Sequence, residues 1–383
     1  MKILFLTYGD CFHSPKNGGG QCNARNFRLL KEIYGQNNVF AACILDAPLP
    51  SDMPHIHYFP QNTSKLVRIT SALTGLLECT RATQKAVLSL FEQVCCTAVF
   101  MDSLSGSWIP YFRKINPQVK FLLLAHNIDK KYYEYRVNRE GKHLLPIYWG
   151  VCRNEQAIVR NASWFATLSE RDSHEFAKIY GRAADVVLPM SFADKFEPTR
   201  VKPPSRKREL LFLGSLFAAN FDGVCWFINE VLPLLPDFTL TIVGKDFEKE
   251  TKRLSRPNVR VVGTVDDPGE AYYAFSMVVM PILYGTGIKI KTAEAFMYGK
   301  TIFATDEALE GYEVEGVKGI YRCNTAKEFA SKIDTVFSQD NLPDVEPEVR
   351  KLFLSQYSNE IIKRKLQKSL QGQGLLEGET GDA

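Results

Sequence analysis

Short apolar runs alternate with longer amphipathic segments along the whole chain. This pattern predicts parallel sheets covered by helices, because runs of about four to eight apolar and β-branched residues are typical of buried strands. In the first half the predicted strands are residues 3–7, 39–45, 98–101, 121–125, 164–168 and 186–188, with helices at about 66–94 and 148–161. In the second half the predicted strands are residues 210–213, 239–243, 259–262, 277–280, 301–304 and 319–321. We therefore expect an α/β fold of two Rossmann-like, doubly wound domains.

The predicted boundary between the domains is a basic segment that contains prolines. The run from Lys202 to Arg208 combines two prolines with four like charges, which favours a solvated linker over a phosphate-binding site. The second half ends in a predicted helix that is expected to pack back on the first domain, followed by a small, polar, flexible tail. The predicted divisions are a first domain over residues 1–188, a linker over 189–208, a second domain over 209–346, the helix over 347–370 and the tail over 371–383.

Composition adds limits to this picture. A chain of 383 residues with 45% hydrophobic and 23% charged residues is an ordinary globular protein of about two domains. A net charge of +4 is too small to indicate a nucleic-acid binder. The nine cysteines show neither CxxC pairs nor metal-ligand spacing, which favours a reducing cytoplasm in which most of them are core residues. We find no secretory signal and no run of about 18 apolar residues, so any membrane contact is expected to be peripheral.

Two glycine-containing turns follow predicted first strands. In the first half, Gly18, Gly19 and Gly20 are expected to form a turn immediately before a helix, where backbone N–H groups and the helix dipole favour a phosphate or a sugar. A plain strand-to-helix turn is the alternative. In the second half, Gly214 removes a side chain where a strand ends, and the residues that follow recur at helical spacing. Asn220 or Asp222 is expected to cap that helix.

A Gly-Thr-Gly turn carries the strongest chemical signal. Residues 281–300 read PILYGTGIKIKTAEAFMYGK, so a strand enters the turn and two lysines follow within the first helical turns. Lysine near the positive end of a helix is unfavourable unless an anion compensates, and a diphosphate is such an anion. The backbone N–H groups of residues 285–288 and the ammonium of Lys289 can neutralise a pyrophosphate, while Glu294 can hold a ribose diol. An amphipathic helix with a Lys–Glu surface pair is the alternative.

Two further features lie in the first half. His126 follows a hydrophobic strand, so its side chain is expected at the carboxyl edge of the sheet, where open α/β folds bind ligands. A structural histidine is the alternative. The run from Lys130 to Arg136 mixes basic and aromatic residues, which suits an acceptor or an anionic surface, although a solvated helix face is the better interpretation.

At this point the sequence resembles a known family. Residues 210–333 look like the donor-binding domain of retaining GT-B glycosyltransferases, the group 1 or family 4-like bacterial enzymes. Three pieces occur in the family's order: Phe-Leu-Gly-Ser at 212–215, Gly-Thr-Gly-Ile-Lys-Ile-Lys-Thr-Ala-Glu-Ala at 285–295, and Ala304-Thr305 leading to Glu310-Gly311. The resemblance covers nearly the whole chain and is much weaker in the first half. It implies two Rossmann-like domains that face a central cleft, with the acceptor on the side of the first domain.

The resemblance also implies roles for particular residues. The family commonly has two glutamates in the donor loop; the second corresponds to Glu294, whereas Thr286 stands where the first is expected. A basic residue of this loop is implied to bind the diphosphate, with Lys289 as first choice and Lys291 as second. A histidine at the place of His126 is implied to lie against the donor sugar. The catalytic candidates are His126 and Lys289, the phosphate or acceptor loop is Gly18, Gly19 and Gly20, and the donor-binding candidates are Gly214, Ser215, Gly285, Thr286, Gly287, Ile288, Lys289, Lys291 and Glu294.

The implied reaction transfers a sugar, with hexosyl transfer favoured, from a nucleotide-sugar donor to a glycan, a lipid-linked molecule or another hydroxyl acceptor with retention of configuration. A UDP-sugar is the favoured donor, no metal or other cofactor is required, and the expected setting is polysaccharide biosynthesis in the cytoplasm or at the inner membrane face. A catalytically silent sugar-nucleotide-binding subunit and a GT-B epimerase stay open as alternatives. A nicotinamide-dependent dehydrogenase is a more distant one, because neither half carries the glycine fingerprint with its acidic partner.

Overall fold

The chain folds into two compact units. The structure is a computed structural model that describes residues 1–9, 11–13, 18–45, 53, 55–61, 79–101, 103–201, 207–285, 288–339 and 342–377. Unit 1 comprises Met1–Met190 and Ile362–Ala383, and unit 2 comprises Ser191–Ile361. The first crossing between units therefore falls inside the segment predicted as a linker, and the second falls inside the predicted C-terminal helix.

Unit 1 is built on a seven-stranded sheet in the order β3-β2-β1-β4-β5-β6-β7, in which every neighbouring pair is parallel. All seven residues of β2 are buried, as expected where helices cover both faces of a parallel sheet. The strands are β1 (Ile3–Tyr8), β2 (Val39–Leu45), β3 (Ile56–Pro60), β4 (Ala98–Met101), β5 (Lys120–Ala125), β6 (Trp164–Thr167) and β7 (Val186–Val187).

Both helices predicted in unit 1 are observed among the described residues, and the one predicted at about 148–161 spans Leu145–Asn161. The helix predicted over residues 66–94 is observed only over Arg81–Gln93, where Thr80 caps its first turn; residues 62–78 lie outside the described part of the chain. The edge strand β3 was not predicted, because only its first residue is buried and its apolar pattern is weak. The helices of this unit up to residue 190 are α1 (Gly18–Tyr34), α2 (Arg81–Gln93), α3 (Ile109–Ile115), α4 (Asp129–Glu140), α5 (Leu145–Asn161) and α6 (Glu170–Tyr180).

Unit 2 is also built on a parallel sheet, which has six strands in the order β10-β9-β8-β11-β12-β13. All six of its predicted strands, including the buried β11 and β12, are observed within one residue at each end. Its strands are β8 (Glu209–Leu213), β9 (Thr239–Val243), β10 (Val259–Gly263), β11 (Met277–Met280), β12 (Thr301–Ala304) and β13 (Ile320–Arg322). Its helices are α7 (Ala218–Trp226), α8 (Thr251–Leu254), α9 (Pro268–Ala274), α10 (Ile290–Met297), α11 (Asp306–Leu309), α12 (Ala326–Ser338) and α13 (Pro347–Leu352).

The C-terminal segment is two helices rather than the single helix predicted over residues 347–370. After α13 a short π-helical turn ends at Tyr357, the backbone becomes extended at Ser358, and α14 (Asn359–Gly372) begins. Most of α14 belongs to unit 1, where the Trp164 indole donates a hydrogen bond to Ser369 at 2.8 Å. No helix in the described part of the chain has the length and apolar character that a membrane span requires.

Arg208, at the end of the predicted linker, contacts unit 2 through its side chain. Residues 202–206 lie outside the described part, but the Arg208 guanidinium packs between two aromatic rings, 5.2 Å from the centroid of Phe238 and 4.8 Å from that of Phe337. It also lies 3.7 Å from a carboxylate oxygen of Asp334. The end of the basic run therefore packs partly on unit 2 while the Arg208 side chain stays 40% exposed, because the flat guanidinium stacks well on aromatic faces.

Substitution of Gly244 should destabilise unit 2 strongly. A Cβ at this position would lie 1.9 Å from the carbonyl oxygen of Gly214, and the backbone φ of Gly244 is +150°. We expect Gly244→Ala to lower the free energy of unfolding by about 3 kcal/mol or more, since both overpacking and backbone strain contribute. Urea unfolding followed by fluorescence measures this.

Gly316→Ala is the matched control, because Gly316 also has a positive φ, +72°, but a Cβ there would meet nothing within 4 Å. It should cost only about 1 kcal/mol, from the left-handed backbone alone. Equal losses in the two variants would contradict the close backbone contact.

Candidate functional site

The strand order brings the predicted donor residues of unit 2 to one edge of its sheet. Strand β8 has β9 on one side and β11 on the other, so the order of the strands reverses beside β8. Open α/β sheets bind ligands outside the carboxyl ends of the strands at such a point. Gly214 and Ser215 follow β8, and the segment from Pro281 to Gly285 and then Ile288 follows β11. The predicted Thr286 and Gly287 lie outside the described residues.

Lys291 holds a buried ammonium at this edge. Its Nζ donates a hydrogen bond to the side-chain oxygen of Asn220 and lies 4.9 Å from the ring centroid of Phe212. Among the described residues no carboxylate forms an ion pair with it. Burial, the largest cause, and the neighbouring charge of Lys289 together lower the pKa of Lys291 to about 7, although the charge of Glu294 opposes the shift. The site thus contains a cation without an acidic partner.

Asn220 and Gly214 create the space for this ammonium. Asn220 is 1% exposed, and its side-chain nitrogen donates to the carbonyl of Ser215 at 2.7 Å. A Cβ on Gly214 would lie 2.9 Å from that nitrogen and 3.3 Å from Nζ of Lys291. A side chain at position 214 would therefore displace the Asn220–Lys291 pair.

The expected capping role of Asn220 or Asp222 is wrong. Helix α7 begins at Ala218, with Phe217 at the N-cap position and no side-chain cap. Asn220 lies inside the helix and turns toward Lys291, and Asp222 accepts a hydrogen bond from the Tyr284 hydroxyl at 2.5 Å. Asn220 thus links α7 to α10, and Asp222 links α7 to the segment after β11.

Lys289 occupies a different environment from Lys291. It is the N-cap residue of α10, and its ammonium forms an ion pair with the carboxylate of Glu307 at the start of α11. The Lys289 side chain is 9% exposed and that of Glu307 is 28% exposed. The Lys–Glu surface pair considered for this helix is therefore not formed with Glu294, and the charge of Lys289 is already balanced.

Glu294 lies one helical turn beyond Lys291 and is half-buried. Burial raises the pKa of this carboxyl group, while the charges of Lys195 and Lys291 act in the opposite direction. Its carboxylate accepts no hydrogen bond from any described residue. A half-buried carboxylate that lacks a hydrogen-bond donor among the described residues is suited to accept hydrogen bonds from a ligand diol.

In unit 1 the glycines occupy a different position from the one predicted. Helix α1 begins at Gly18, so Gly18, Gly19 and Gly20 form its first turn rather than a turn that precedes it. This places the glycines at the positive end of the α1 dipole, beside the carboxyl end of β1. In this unit the strand order reverses beside β1, which lies between β2 and β4.

The same helix brings a cysteine to His126. Cys22 is 1% exposed, and its sulfur accepts hydrogen bonds from the Arg25 guanidinium at 3.1 Å and from the Asn26 amide at 3.6 Å. Burial raises the pKa of the Cys22 thiol, but the charges of Arg25 and His126 and hydrogen bonds from both outweigh it and lower the pKa to about 6. Arg25 is itself fixed by a hydrogen bond to the carbonyl of Pro189 at 3.0 Å. The Cys22 sulfur therefore lies beside both Arg25 and His126, and these two neighbours favour its deprotonated form.

Several of these residues were missed by sequence reasoning. Their contacts span long stretches of chain: Lys291 meets Asn220 across 71 positions, and Lys289 meets Glu307 across 18. Lys195 was not identified as a site residue because it lies in the segment predicted to be a linker. None of the nine cysteines, all of which lie among the described residues, forms a disulfide. Cys22 is buried like most of them, so only its neighbours distinguish it. Asn220, which closely follows Gly214 at the end of a strand, was the one local signal that sequence reasoning could have used.

Two Rossmann-like units with parallel sheets, each with its strand order reversed beside the first strand, define the GT-B fold class. Comparisons with known proteins agree with this class. The family model described as "Glycosyl transferases group 1" matches residues 207–339, which lie within unit 2. No curated protein sequence matches the chain.

Solved structures with the same fold cover 97% of this chain. HepE of Anabaena, solved with UDP and glucose, is 14% identical with a TM-score of 0.61 and is covered over 100% of its length. A glycosyltransferase from Rickettsia africae is 15% identical with a TM-score of 0.65 and 98% coverage. The lipopolysaccharide outer core galactosyltransferase WaaB, in its apo form, is 13% identical with a TM-score of 0.65 and 99% coverage. The family match and the shared fold support a glycosyltransferase of GT-B architecture.

Removal of the buried ammonium should change how stability depends on pH. The Lys291 pKa is lowered from its ordinary value to about 7, so the unfolded chain binds the extra proton more tightly. The loss of folding stability caused by burying the protonated Lys291 is fully present below about pH 7 and disappears as the pH rises toward about 10.4. It amounts to roughly 1.4 kcal/mol for each unit by which the pKa is lowered. We therefore expect the advantage of Lys291→Met over wild type in unfolding free energy to be largest near pH 6 and to shrink toward pH 10.

Urea unfolding at several pH values measures this difference. Lys252→Met serves as control, because Lys252 is exposed and forms no ion pair with a described residue. Its difference from wild type should not vary with pH. A Lys291→Met difference that is constant with pH would show that Lys291 is not a buried cation.

Proposed function

We propose that this protein is a retaining glycosyltransferase. It would transfer a hexosyl group from a nucleotide-sugar donor, with a UDP-sugar favoured, to a hydroxyl of a glycan or a lipid-linked acceptor. The proposal rests on one observation above all: in a unit that matches the group 1 family model, a buried ammonium without an acidic partner lies one helical turn from a carboxylate without a hydrogen-bond donor among the described residues. A nucleoside diphosphate satisfies both groups at once.

The diphosphate would bind at the start of α10. Phosphate oxygens placed there would accept from Lys291 and benefit from the positive end of the helix dipole. The ion pair of Lys289 with Glu307 supports Lys291 as the principal diphosphate ligand and Lys289 as the second, which reverses the order expected from the sequence. When the bond between the anomeric carbon and the phosphate oxygen breaks, the ammonium would stabilise the charge that develops on the departing oxygen.

Glu294 would hold the ribose. Its carboxylate can accept hydrogen bonds from the 2′- and 3′-hydroxyls, as acidic residues do in other nucleotide-binding sheets. The backbone of Gly214 and Ser215, close to Lys291, would line the same site. Among solved structures of this fold, HepE contains UDP with glucose in one crystal and UDP-glucose in another, which supports UDP as the first nucleotide to test.

His126 is the proposed catalytic residue of unit 1. The Cys22 sulfur and the Arg25 guanidinium would act through it as positioning groups, because they fix its surroundings inside the fold. The first turn of α1, with Gly18, Gly19 and Gly20, is the proposed phosphate or acceptor site of this unit. NMR assignment of the anomeric configuration of the product tests retention.

Nucleotide binding should depend on Lys291 and Glu294 in different ways. We expect wild type to bind one of UDP, GDP, ADP and dTDP well, and Lys291→Met to weaken that binding at least about tenfold, since a charged hydrogen bond is lost. Lys289→Met should have a smaller effect. Isothermal titration calorimetry measures each dissociation constant, with Lys252→Met as the control.

A ligand without the ribose 2′-hydroxyl isolates the role of Glu294. Removal of that hydroxyl should weaken binding to wild type about tenfold but should change little in Glu294→Gln, because the lost contact is the same. If the loss of affinity from removing the hydroxyl adds to the loss from Glu294→Gln, the ribose is bound by another residue. If none of the four nucleotides binds wild type, the glycosyltransferase proposal fails.

Binding of the nucleotide should also take up a proton. At pH 8 the Lys291 ammonium, with its pKa near 7, is mostly neutral in the free protein, and a diphosphate beside it favours the charged form. We expect uptake approaching about one proton at pH 8 and almost none at pH 6, where Lys291 is already protonated. Calorimetry in two buffers of different ionisation enthalpy measures the number of protons.

Lys291→Met is the decisive control for this linkage. The uptake at pH 8 should disappear in the variant even if some binding is retained at high nucleotide concentration. Uptake that persists unchanged in Lys291→Met would place the titrating group elsewhere.

A further inference from the structure

The turn that contains His126 connects the end of β5 to the start of α4. Strand β5 ends at Ala125, which is held by its pairing with Thr167 of β6. Ile128 closes the turn as the N-cap residue of α4 and is 7% exposed. An isoleucine side chain has no oxygen, so the first N–H groups of α4 need hydrogen-bond acceptors from elsewhere in the fold.

Glu155 of α5 supplies these acceptors. It is 0% exposed, and its Oε1 accepts from the backbone N–H of Asp129 at 2.8 Å, while Oε2 accepts from that of Lys130 at 3.1 Å. The hydroxyl of Tyr180, at the end of α6, donates to Oε2 at 2.5 Å. Burial raises the pKa of the Glu155 carboxyl group, whereas these hydrogen bonds and the charge of Lys130 favour its ionised form. A carboxylate from another helix therefore caps α4 at the positive end of its dipole.

The rest of α4 is held only at the surface. None of its twelve residues is buried, which agrees with the interpretation of its basic and aromatic run as a solvated helix face. Lys131 forms an ion pair with Glu175 of α6, but the Lys131 side chain is 51% exposed. Exposed ion pairs contribute little to stability. The buried carboxylate of Glu155 therefore fixes where α4 begins, and with it the far end of the turn that contains His126.

Helix α5 holds this carboxylate in a closely packed position. Gly106, in the segment after β4, has no room for a side chain, because a Cβ there would lie 2.1 Å from the carbonyl oxygen of Asn154. The residue before Glu155 thus packs backbone against backbone, and Asn154 is 3% exposed. A group on a closely packed helix can hold a neighbouring turn more precisely than a group on a loop can.

We propose that Glu155 is a positioning residue for His126, whose carboxylate holds the turn between β5 and α4 and thereby orients the imidazole. Cys22 acts on the imidazole itself, whereas Glu155 acts on the backbone that carries it. The effect on turnover rests on the catalytic role of His126 in the proposed function. The effect on the ring can be measured without any substrate. The alternative is that Glu155 only stabilises α4.

The imidazole ¹⁵N signals of His126 test the orientation of the ring directly. The chain has six histidines, so selective labelling of histidine gives few signals, and the one that disappears in His126→Gln is assigned. We expect Glu155→Gln to shift the His126 signals, because an amide has a single acceptor oxygen where the carboxylate uses both of its oxygens. Tyr180→Phe should shift them in the same direction but less, since both backbone hydrogen bonds remain.

Glu175→Gln is the matched control. It changes a carboxylate that also binds α4, but through the exposed Lys131 side chain. Its His126 signals should match those of wild type, and circular dichroism checks that each variant is folded. Unchanged His126 signals in folded Glu155→Gln, or in Tyr180→Phe where Glu155→Gln does not fold, would show that Glu155 only stabilises α4. An equally large shift in Glu175→Gln would also overturn the proposal, because any loosening of α4 would then move the ring.

Turnover connects this result to the proposed function. With UDP-glucose as the probe, we expect Glu155→Gln to lower kcat for release of UDP at least about tenfold with little change in KM, since a misplaced catalytic group costs turnover and the donor is proposed to bind in unit 2. Glu175→Gln should keep the kcat of wild type. A wild-type kcat in Glu155→Gln despite shifted signals would contradict the catalytic role of His126, not the placement of its ring. Failure of wild type to release UDP would count against the favoured donor alone, and the His126 signals would still decide whether Glu155 positions the ring.

Discussion

The buried ammonium of Lys291 is the constraint around which the site of unit 2 is arranged. A cation removed from water must be compensated, and here a neutral amide, Asn220, and the face of Phe212 replace the expected carboxylate. Such an arrangement leaves the cation only partly satisfied and lowers its pKa to about 7. Two glycines make it possible: Gly214 leaves room for the pair, and Gly244 lets the backbone after β9 approach the carbonyl of Gly214.

A third glycine serves the same edge of the sheet. A Cβ on Gly223 would lie 1.9 Å from the carbonyl oxygen of Pro281, so α7 can approach the end of β11 only without a side chain there. This contact holds Asn220 over Lys291, and the hydrogen bond between Asp222 and Tyr284 adds a second link between the same elements. The local packing of backbone on backbone therefore determines where the ligand-facing polar groups lie.

The sequence predicted the sheets far better than the contacts of the site. Strands such as β2, β9 and β12 are short runs of apolar and β-branched residues, so their pattern alone located them. The edge strand β3 and the break at Ser358 left no such pattern. Local motifs were enough to select Gly214, Lys291 and Glu294 as site residues. They could not identify the partner of either lysine, because each partner lies on another helix. Asn220 was therefore given the role that its position near a helix start suggested.

The two lysines show why neighbouring positions of one motif need separate physical arguments. Both precede Glu294 on the same short segment, and the family resemblance made Lys289 the first choice as the diphosphate ligand. Glu307, from the helix that follows β12, neutralises Lys289, whereas the described residues offer Lys291 only an amide. An anion gains more by approaching a cation that lacks a counter-ion, since it does not first have to displace one. The proposed order of the two lysines therefore follows from their local charge balance.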